Sequence, residues 1–336
     1  MSSAPQIIES FSKSDRFRLD VHLEPSNAVA LARDVRIGLT SAPKWLPPKY
    51  FYDAVGSRLF DRICDTPEYY QTRTEQALLE RVASEIVNLT EPTHLVELGS
   101  GTARKTRVLL GAIERRARRC CYVPFDVSEA VLRESAEQLL GEYPWLEVHG
   151  IVGDYDRHLG AIPKGDRRLY VFLGGTIGNF EPEAATQFLA SLAGRMHPGD
   201  ALLLGTDLVK DHARLNAAYN DAQGITAAFN KNVLCVINRE LGANFELERF
   251  AHVAFFEPEN AQIEMHLRSE VDQVVDIQRL ELAVPFRAAE TIRTEISRKF
   301  TRPSATALLK AAGLEVFEWL PSADDAFALS LSRPQG

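Results

Sequence analysis

The segment VELGSGTARKT, residues 96–106, decides the fold. The apolar run HLVELGS at 94–100 predicts a short strand that ends in a glycine turn, and KTRVLLGAIERRAR at 105–118 predicts the helix that follows. Gly99 and Gly101 lie in that turn, where glycine lets the backbone approach a ligand and the helix N-terminus offers free N–H groups. The segment therefore predicts a binding site for a nucleotide-like cofactor.

Residues around the turn narrow the type of cofactor. A dinucleotide fingerprint needs a third glycine where this chain has Arg104, and Glu97 would repel a diphosphate. Asp126 and Asp154 each follow a predicted strand, which suits hydrogen bonds to ribose hydroxyls and to an adenine amino group, with Tyr155 beside the second. The structural alternatives are a helix N-cap for Asp126 and a solvated loop for Asp154.

Strands and helices alternate through the middle of the chain, which predicts a parallel sheet covered on both faces. The predicted strands are 94–100, 121–128, 146–155, 168–179 and 201–209, and the predicted helices are 27–39, one from about 72, 105–118, 129–143 and 183–196. After residue 209 the pattern changes to helices over 211–241 and then to strands at 251–258, 261–269, 271–284 and 288–300. The tail, 304–333, returns to a helix and two strands, so an α+β insertion interrupts the first sheet.

Composition indicates a globular protein with a small-molecule ligand. The 336 residues are 45% apolar and 25% charged, and the net charge of −8 argues against a nucleic-acid partner. No apolar run is long enough to span a membrane, and the N-terminus lacks the pattern of a secretory signal. Cys64, Cys120, Cys121 and Cys235 form no metal-ligand spacing, so we expect reduced thiols, no metal and a location in the cytoplasm. Because no long apolar face demands a partner, we also expect a monomer.

Several longer segments are similar to a known family. The segments are LPPKYFYDAVGSRLFDRICDTPEYYQTRTE (46–75), LVELGSGTARKT (95–106), FLGGTIGNFEP (172–182), LLLGTDLVKD (202–211), AYNDAQGITAAFNKNVLCVINREL (218–241) and IEMHLRS (263–269). From about residue 33 to about residue 331 the chain resembles the histidine-specific N-α-methyltransferases of bacterial ergothioneine biosynthesis.

The resemblance implies a fold and a domain division. The fold would be α/β, a class I S-adenosylmethionine (SAM) methyltransferase with a Rossmann-like sheet and an inserted α+β substrate-binding domain. The expected divisions are a flexible arm at 1–19, a histidine-binding domain at 20–73 and 209–299, and a methyltransferase domain at 74–208 and 300–336.

The resemblance also implies an activity and its residues. The activity would be trimethylation of the α-amino group of L-histidine to hercynine, with SAM as methyl donor. The implied SAM contacts are Gly99, Lys105, Asp126, Asp154 and Tyr155. The family usually has phenylalanine at the position of Tyr155, and serine at the position of Gly175.

For histidine, the resemblance implies one set of contacts and two tyrosines near the amino group. The contacts are Tyr69, Asn179, Tyr219, Met265, Glu295, Ile296 and Ser297, and the two tyrosines are Tyr52 and Tyr69. Asn179 and Tyr219 are neutral donors that suit a carboxylate, although an Asn can also cap a helix and a Tyr can simply pack on one.

Glu295 and Ser297 are two positions apart on a predicted strand, so their side chains share a face that suits a two-nitrogen ring. A solvated strand face is the alternative for this pair, and a buried strand face is the alternative for Met265. Three other functions remain open on the residues alone: N-methylation of another amine, nicotinamide-dependent oxidoreduction, and cofactor binding without turnover.

Overall fold

The structure is a computed structural model that describes residues 16–22, 27–101, 103–116 and 119–335, without the side chains of residues 27, 28, 155 and 156. In chain order its strands and helices are β1 (Phe17–Val21), α1 (Asn27–Thr40), β2 (Lys44–Trp45), α2 (Ala54–Cys64), α3 (Tyr70–Thr90), β3 (His94–Leu98), α4 (Thr106–Glu114), β4 (Cys121–Asp126), α5 (Glu129–Glu142), β5 (Glu147–Val152), α6 (Tyr155–His158), β6 (Arg168–Phe172), α7 (Pro182–Ala193), β7 (Ala201–Asp207), α8 (His212–Ala218), α9 (Ile225–Leu241), β8 (Phe250–Glu257), β9 (Gln262–Ser269), β10 (Gln273–Ile277), β11 (Leu282–Phe286), β12 (Thr291–Arg298), α10 (Arg302–Ala311), β13 (Leu314–Pro321) and β14 (Phe327–Pro334). Short 3-10 helices lie at Pro48–Phe51, Leu159–Ala161, Thr176–Asn179, Leu247–Arg249 and Gln278–Leu280. None of the helices in these described ranges is long and apolar enough to cross a membrane.

Eight strands form one sheet in the order β1-β5-β4-β3-β6-β7-β14-β13. The strands from β1 to β7 pair in parallel, and β14 and β13 complete the sheet in antiparallel pairing. The chain adds strands outward from β3 on one side and then returns to add β6 and β7 on the other, which makes the carboxyl ends of β3 and β6 a topological switch point. The alternation of strands and helices predicts this parallel sheet, and the order of its strands is that of the Rossmann-like sheet that the resemblance implies.

Alternate residues of the central strands enter two different cores, because successive side chains of a strand point to opposite faces. Leu95 packs in one core with residues of α3, α4 and α5, and Val96 packs in the other with residues of α7 and α10. Both faces of the sheet are therefore covered by helices, which explains the continuous apolar runs in its parallel strands.

A second part of the molecule has its own sheet and core. Four strands pair in the order β2-β12-β9-β8, and β10 pairs with β11 in a separate hairpin. A third core joins α1, α8 and α9 to these strands. The predicted strand at 271–284 is two strands, because Gln278–Leu280 forms a 3-10 turn that reverses the chain.

Two of the expected domain limits differ from the structure. Residues 1–15 of the expected arm lie outside the described residues, but Phe17–Val21 form β1, an edge strand paired with β5. Phe17 and Leu19 are buried in the sheet, and the Arg16 guanidinium donates to the carbonyl of Tyr143 at 3.1 Å. The expected limit at 73/74 falls inside α3, a continuous helix whose N-terminus belongs to the substrate part.

At Gly178, in the turn after β6, the backbone packs directly against the backbone of β12. A Cβ on Gly178 would lie 2.6 Å from the carbonyl oxygen of Arg298 and 3.1 Å from its nitrogen. Because both atoms belong to the backbone of β12, no side-chain rotation can relieve such a contact.

We expect Gly178→Ala to lower the free energy of unfolding by about 1–3 kcal/mol, since it forces β12 away from the turn. Denaturant unfolding measures this. The matched control is Gly141→Ala in α5, where an added Cβ meets no heavy atom within 4 Å and should be neutral or slightly stabilising. Equal stability of the two variants would contradict the close packing.

Candidate active site

One cavity of about 640 Å³ lies at the carboxyl edge of the large sheet and extends into the substrate part. It gathers most of the predicted site residues, namely Tyr52, Tyr69, Gly99, Lys105, Asp126, Asp154, Asn179, Tyr219, Met265, Glu295 and Ser297. Ile296 does not line the cavity, because it is buried on the opposite face of β12 from Glu295 and Ser297. The side chain of Tyr155 lies outside the described residues.

The glycine turn is built for close approach of a ligand. Gly99 and Gly101 have φ values of +74° and +47°, which disfavour any side chain, and a Cβ on either would meet no heavy atom within 4 Å. The turn therefore combines a backbone that requires glycine with open space on its ligand side. Glu97, in β3 just before the turn, is buried and accepts hydrogen bonds from Thr106 and Tyr122. Burial raises the pKa of its carboxyl to about 7.

Asp126 links the glycine turn to the next helix. Its Oδ2 accepts from the Gly101 amide at 2.9 Å and its Oδ1 accepts from the Ser128 amide at 2.9 Å. Burial raises the pKa of this carboxyl, and the backbone donors oppose the rise. Ser128, rather than Asp126, occupies the N-cap of α5, so the capping alternative does not account for Asp126.

A buried carboxylate that no sequence pattern predicts lies between the two predicted loops. Glu75 of α3 is fully buried, forms an ion pair with Lys105 and accepts from the Gly174 amide at 2.8 Å. Lys105 therefore faces the cavity as half of an ion pair. Gly174 and Gly175 have φ values of +79° and +66°, a left-handed conformation that glycine adopts without strain.

The substrate end of the cavity contains a buried carboxyl without a partner. Glu295 is 9% exposed and lines the cavity, and its carboxyl has no hydrogen bond or ion pair with any residue of the described ranges. Burial raises its pKa to about 7, and the nearby Lys299 charge opposes the rise. An unpaired buried carboxyl is costly unless a ligand supplies a donor, so Glu295 is a strong candidate for ligand recognition.

Next to Glu295 lies a hydrogen-bonded cluster around Lys299. The Lys299 ammonium donates to the Tyr219 hydroxyl at 3.0 Å and to the Ser297 hydroxyl at 2.9 Å, and it pairs with Asp207 at 2.9 Å. Tyr219 donates to Ser297 at 2.8 Å. Gln71 donates to Tyr219 at 3.4 Å, and its carboxamide oxygen has no partner among the described residues.

Asn179 does not cap α7, whose N-cap is Glu181, and instead lines the cavity. Tyr219 likewise does more than pack on a helix, because its hydroxyl is in the cluster. Met265 is both buried at 1% exposure and in the cavity wall, opposite Glu295 in the β9–β12 pairing.

Aromatic rings form one wall of the substrate end. Tyr52 contacts Phe60 and Phe229 edge to face, with centroids 5.6 and 5.5 Å apart. Phe60 and Tyr69 are 6.2 Å apart, and Tyr69 and Tyr219 are 6.3 Å apart. Phe60 and Phe229 are not predicted from the sequence, although both fall in segments that carry the family resemblance.

Comparison with known proteins decides the family. The family model for the SAM-dependent histidine-specific methyltransferases matches residues 31–334. The chain belongs to this family. The methyltransferase is 51% identical over 307 residues to the histidine N-α-methyltransferase of Mycolicibacterium smegmatis, covering 91% of this chain and 96% of that one.

Two further relatives support the same family assignment. The histidine N-α-methyltransferase of Mycobacterium tuberculosis is 50% identical over 309 residues, which are 92% of this chain and 96% of the relative. Ergothioneine biosynthesis protein 1 of Schizosaccharomyces pombe is 33% identical over 210 residues, which are 59% of this chain and 27% of the relative.

We expect Asp126→Ala to weaken binding of S-adenosylhomocysteine by about 10- to 100-fold, since it removes a charged acceptor that also holds the Gly101 amide. Isothermal titration calorimetry measures the affinity. Glu315→Ala is the control, because this exposed carboxylate on β13 pairs with Arg333 and does not line the cavity. An unaltered dissociation constant in Asp126→Ala would remove the residue from the cofactor site.

Glu295→Gln should weaken histidine binding by about 10- to 100-fold near pH 8 and leave S-adenosylhomocysteine binding unchanged. The carboxylate form accepts an N–H. With a pKa of about 7 that form is present above neutrality and is lost as the pH falls. The ratio of wild-type to variant affinity should therefore shrink between about pH 8 and about pH 6.

Calorimetry at both pH values checks this, and the titration of histidine itself cancels in the ratio. A ratio that is constant with pH, or an unchanged histidine affinity, would contradict the assignment.

Proposed function

We propose that this methyltransferase trimethylates the α-amino group of L-histidine, with SAM as methyl donor, to give hercynine, the first step of ergothioneine biosynthesis. The observation that carries the proposal is the unpaired buried carboxyl of Glu295 beside the Ser297 hydroxyl, at the far end of a cavity that begins at a glycine turn. A carboxylate and a hydroxyl on one strand face match a ring that has one N–H and one bare nitrogen.

The site offers different chemistry for each part of the amino acid. Glu295 and Ser297 would bind the imidazole, with Met265 against the ring. The amide of Asn179 would donate to the carboxylate. The Tyr219 hydroxyl, which the sequence places beside Asn179 in that role, donates its one hydrogen to Ser297 instead. The unpartnered carboxamide oxygen of Gln71 adds an acceptor for an N–H of the substrate.

The cofactor end fits SAM by the chemistry of its donors and acceptors. Open space beside Gly99 and Gly101 admits a ligand against the backbone, and the carboxylates of Asp126 and Asp154 suit ribose hydroxyls and an adenine amino group. SAM supplies an electrophilic methyl group: the amine lone pair forms the new C–N bond, the C–S bond breaks, and its electron pair stays on sulfur.

In this displacement the protein must align the amine with the methyl group and allow the amine to lose a proton. The amine must be neutral to attack, and its pKa of about 8 or above means that a proton leaves at neutral pH. Burial raises the pKa of Tyr69 well above the usual range, so its hydroxyl stays protonated. Tyr69 and Tyr52 would therefore orient the amine through hydrogen bonds, and water takes the proton.

The product imposes a further requirement. Three transfers give a trimethylammonium group that has no N–H to donate. The rings of Tyr52, Phe60 and Phe229 lie together in the wall and can hold such a cation by cation–π attraction.

We also propose that the enzyme acts as a monomer in the cytoplasm and without a metal. The cavity lining supplies both the proposed cofactor contacts and the proposed histidine contacts. The four cysteines are free thiols, which supports a reducing compartment.

The test is a mass-spectrometric incubation of the protein with SAM and each of the twenty amino acids. We expect histidine alone to gain three methyl groups, with three equivalents of S-adenosylhomocysteine formed, and NMR to place them on the α-nitrogen. Methylation of another amino acid in preference to histidine would contradict the substrate, and no transfer to any would contradict the activity.

A further inference from the structure

Lys299 is the most completely buried cation that faces the proposed histidine site. It is 4% exposed, and it lies just after β12, two residues from Ser297. A lysine ammonium has three N–H donors and no acceptor. Here they go to Asp207, Tyr219 and Ser297, so every hydrogen of the ammonium is used within the protein.

This arrangement fixes the hydrogen-bonding capacity of the Tyr219–Ser297 pair. Each hydroxyl oxygen accepts from Lys299, and one hydroxyl hydrogen is used in the 2.8 Å bond between the two. Tyr219 also accepts from Gln71. The pair has two hydrogens in all, so one O–H remains for the cavity while the lone pairs are occupied.

We propose that Lys299 is a positioning residue that makes the Tyr219–Ser297 pair a pure donor toward the substrate ring, so that the site requires a bare ring nitrogen opposite it. This inference rests on the proposed histidine methylation and deepens it. Glu295 supplies the complementary acceptor on the same strand face. Together they select a ring with one N–H and one lone pair, which is neutral imidazole.

Without Lys299 the Tyr219–Ser297 pair is no longer only a hydrogen-bond donor toward the ring. Each hydroxyl oxygen regains a free lone pair, and the pair can then accept a hydrogen bond as well as donate one. The loss of the nearby positive charge also removes the opposition to the raised pKa of Glu295, so the carboxyl spends more of its time protonated. Both changes weaken the discrimination between a ring nitrogen and a ring C–H.

Asp207 provides a way to separate positioning from stability. It also accepts from the Lys210 ammonium at 2.6 Å and from the Tyr70 hydroxyl at 2.9 Å, so it keeps partners when Lys299 is replaced. Lys210 binds the same carboxylate but contacts neither Tyr219 nor Ser297. Lys210→Met is therefore a matched control for Lys299→Met.

The experiment compares histidine with 3-(pyrrol-2-yl)alanine and 3-(pyrrol-3-yl)alanine. Each of these analogues has one ring N–H and a C–H in place of the bare ring nitrogen. Steady-state kcat and KM are measured for each substrate, with melting temperature and S-adenosylhomocysteine affinity as controls for folding. We expect Lys299→Met to raise KM for histidine more than it lowers kcat, and to reduce the histidine preference in kcat/KM by about tenfold or more.

Lys210→Met should leave that preference within about twofold of wild type, since it removes no contact of the donor pair. Ser297→Ala should lose the preference as Lys299→Met does, and the double variant should lose little more, because both act through one hydroxyl. If Lys299→Met does not fold, Lys299→Gln is measured in its place.

Equal effects of Lys299→Met and Lys210→Met on the preference would overturn the inference, as would a preference that survives Ser297→Ala. Either result leaves the proposed function standing when the wild-type enzyme trimethylates histidine. A wild-type enzyme that does not methylate histidine overturns the proposed function and this inference with it.

Discussion

The ion pair between Asp207 and Lys299 joins the two halves of the site. Asp207 ends β7 of the large sheet, and Lys299 follows β12 of the small one. Burying a charge is costly unless a partner compensates for it, and Asp207 has two ammonium partners and a tyrosine hydroxyl. These lysines hold the pKa of Asp207 below its usual range, and Asp207 raises that of Lys299. The pair fixes where the substrate part meets the cofactor part, and the Phe300 amide reinforces the junction by donating to the Asp207 carbonyl at 2.8 Å.

The cofactor half of the site is predictable from the sequence because its chemistry is local. Gly99 and Gly101 follow a strand directly, and Asp126 ends the next one. Parallel strands bring their carboxyl ends to one edge, so a strand-helix alternation places these residues together without any knowledge of long-range packing. Alternation along a strand likewise predicts the shared face of Glu295 and Ser297, and it places the side chain of Ile296 on the other face.

The parts of the site that the sequence does not predict depend on contacts between residues far apart in sequence. Glu75 is a charged residue in an amphipathic helix, and its partners, Lys105 and the Gly174 amide, are 30 and 99 residues away. Lys299 resembles any basic residue at the end of a strand until Tyr219 and Asp207 are brought beside it. The strand β1 is short and follows a polar segment, although the alternation in FRLDV is a signal that could have revealed it. Buried charges are the least predictable part of such a site, because only the tertiary structure shows that they are paired.

Because one nitrogen is methylated three times, the groups that bind the substrate must differ from the groups that surround the reacting amine. Each transfer removes an N–H from the substrate, so an amine pocket made only of hydrogen-bond acceptors would bind each successive intermediate more weakly. The proposed site anchors the amino acid by its ring and its carboxylate, which do not change through the three transfers. Around the amine it places the rings of Tyr52, Phe60 and Phe229, whose attraction for a cation needs no N–H. Each transfer also moves the positive charge from sulfur to nitrogen. In the proposed site these aromatic rings accommodate that charge, and the carboxyl of Glu295 binds the imidazole rather than the amine.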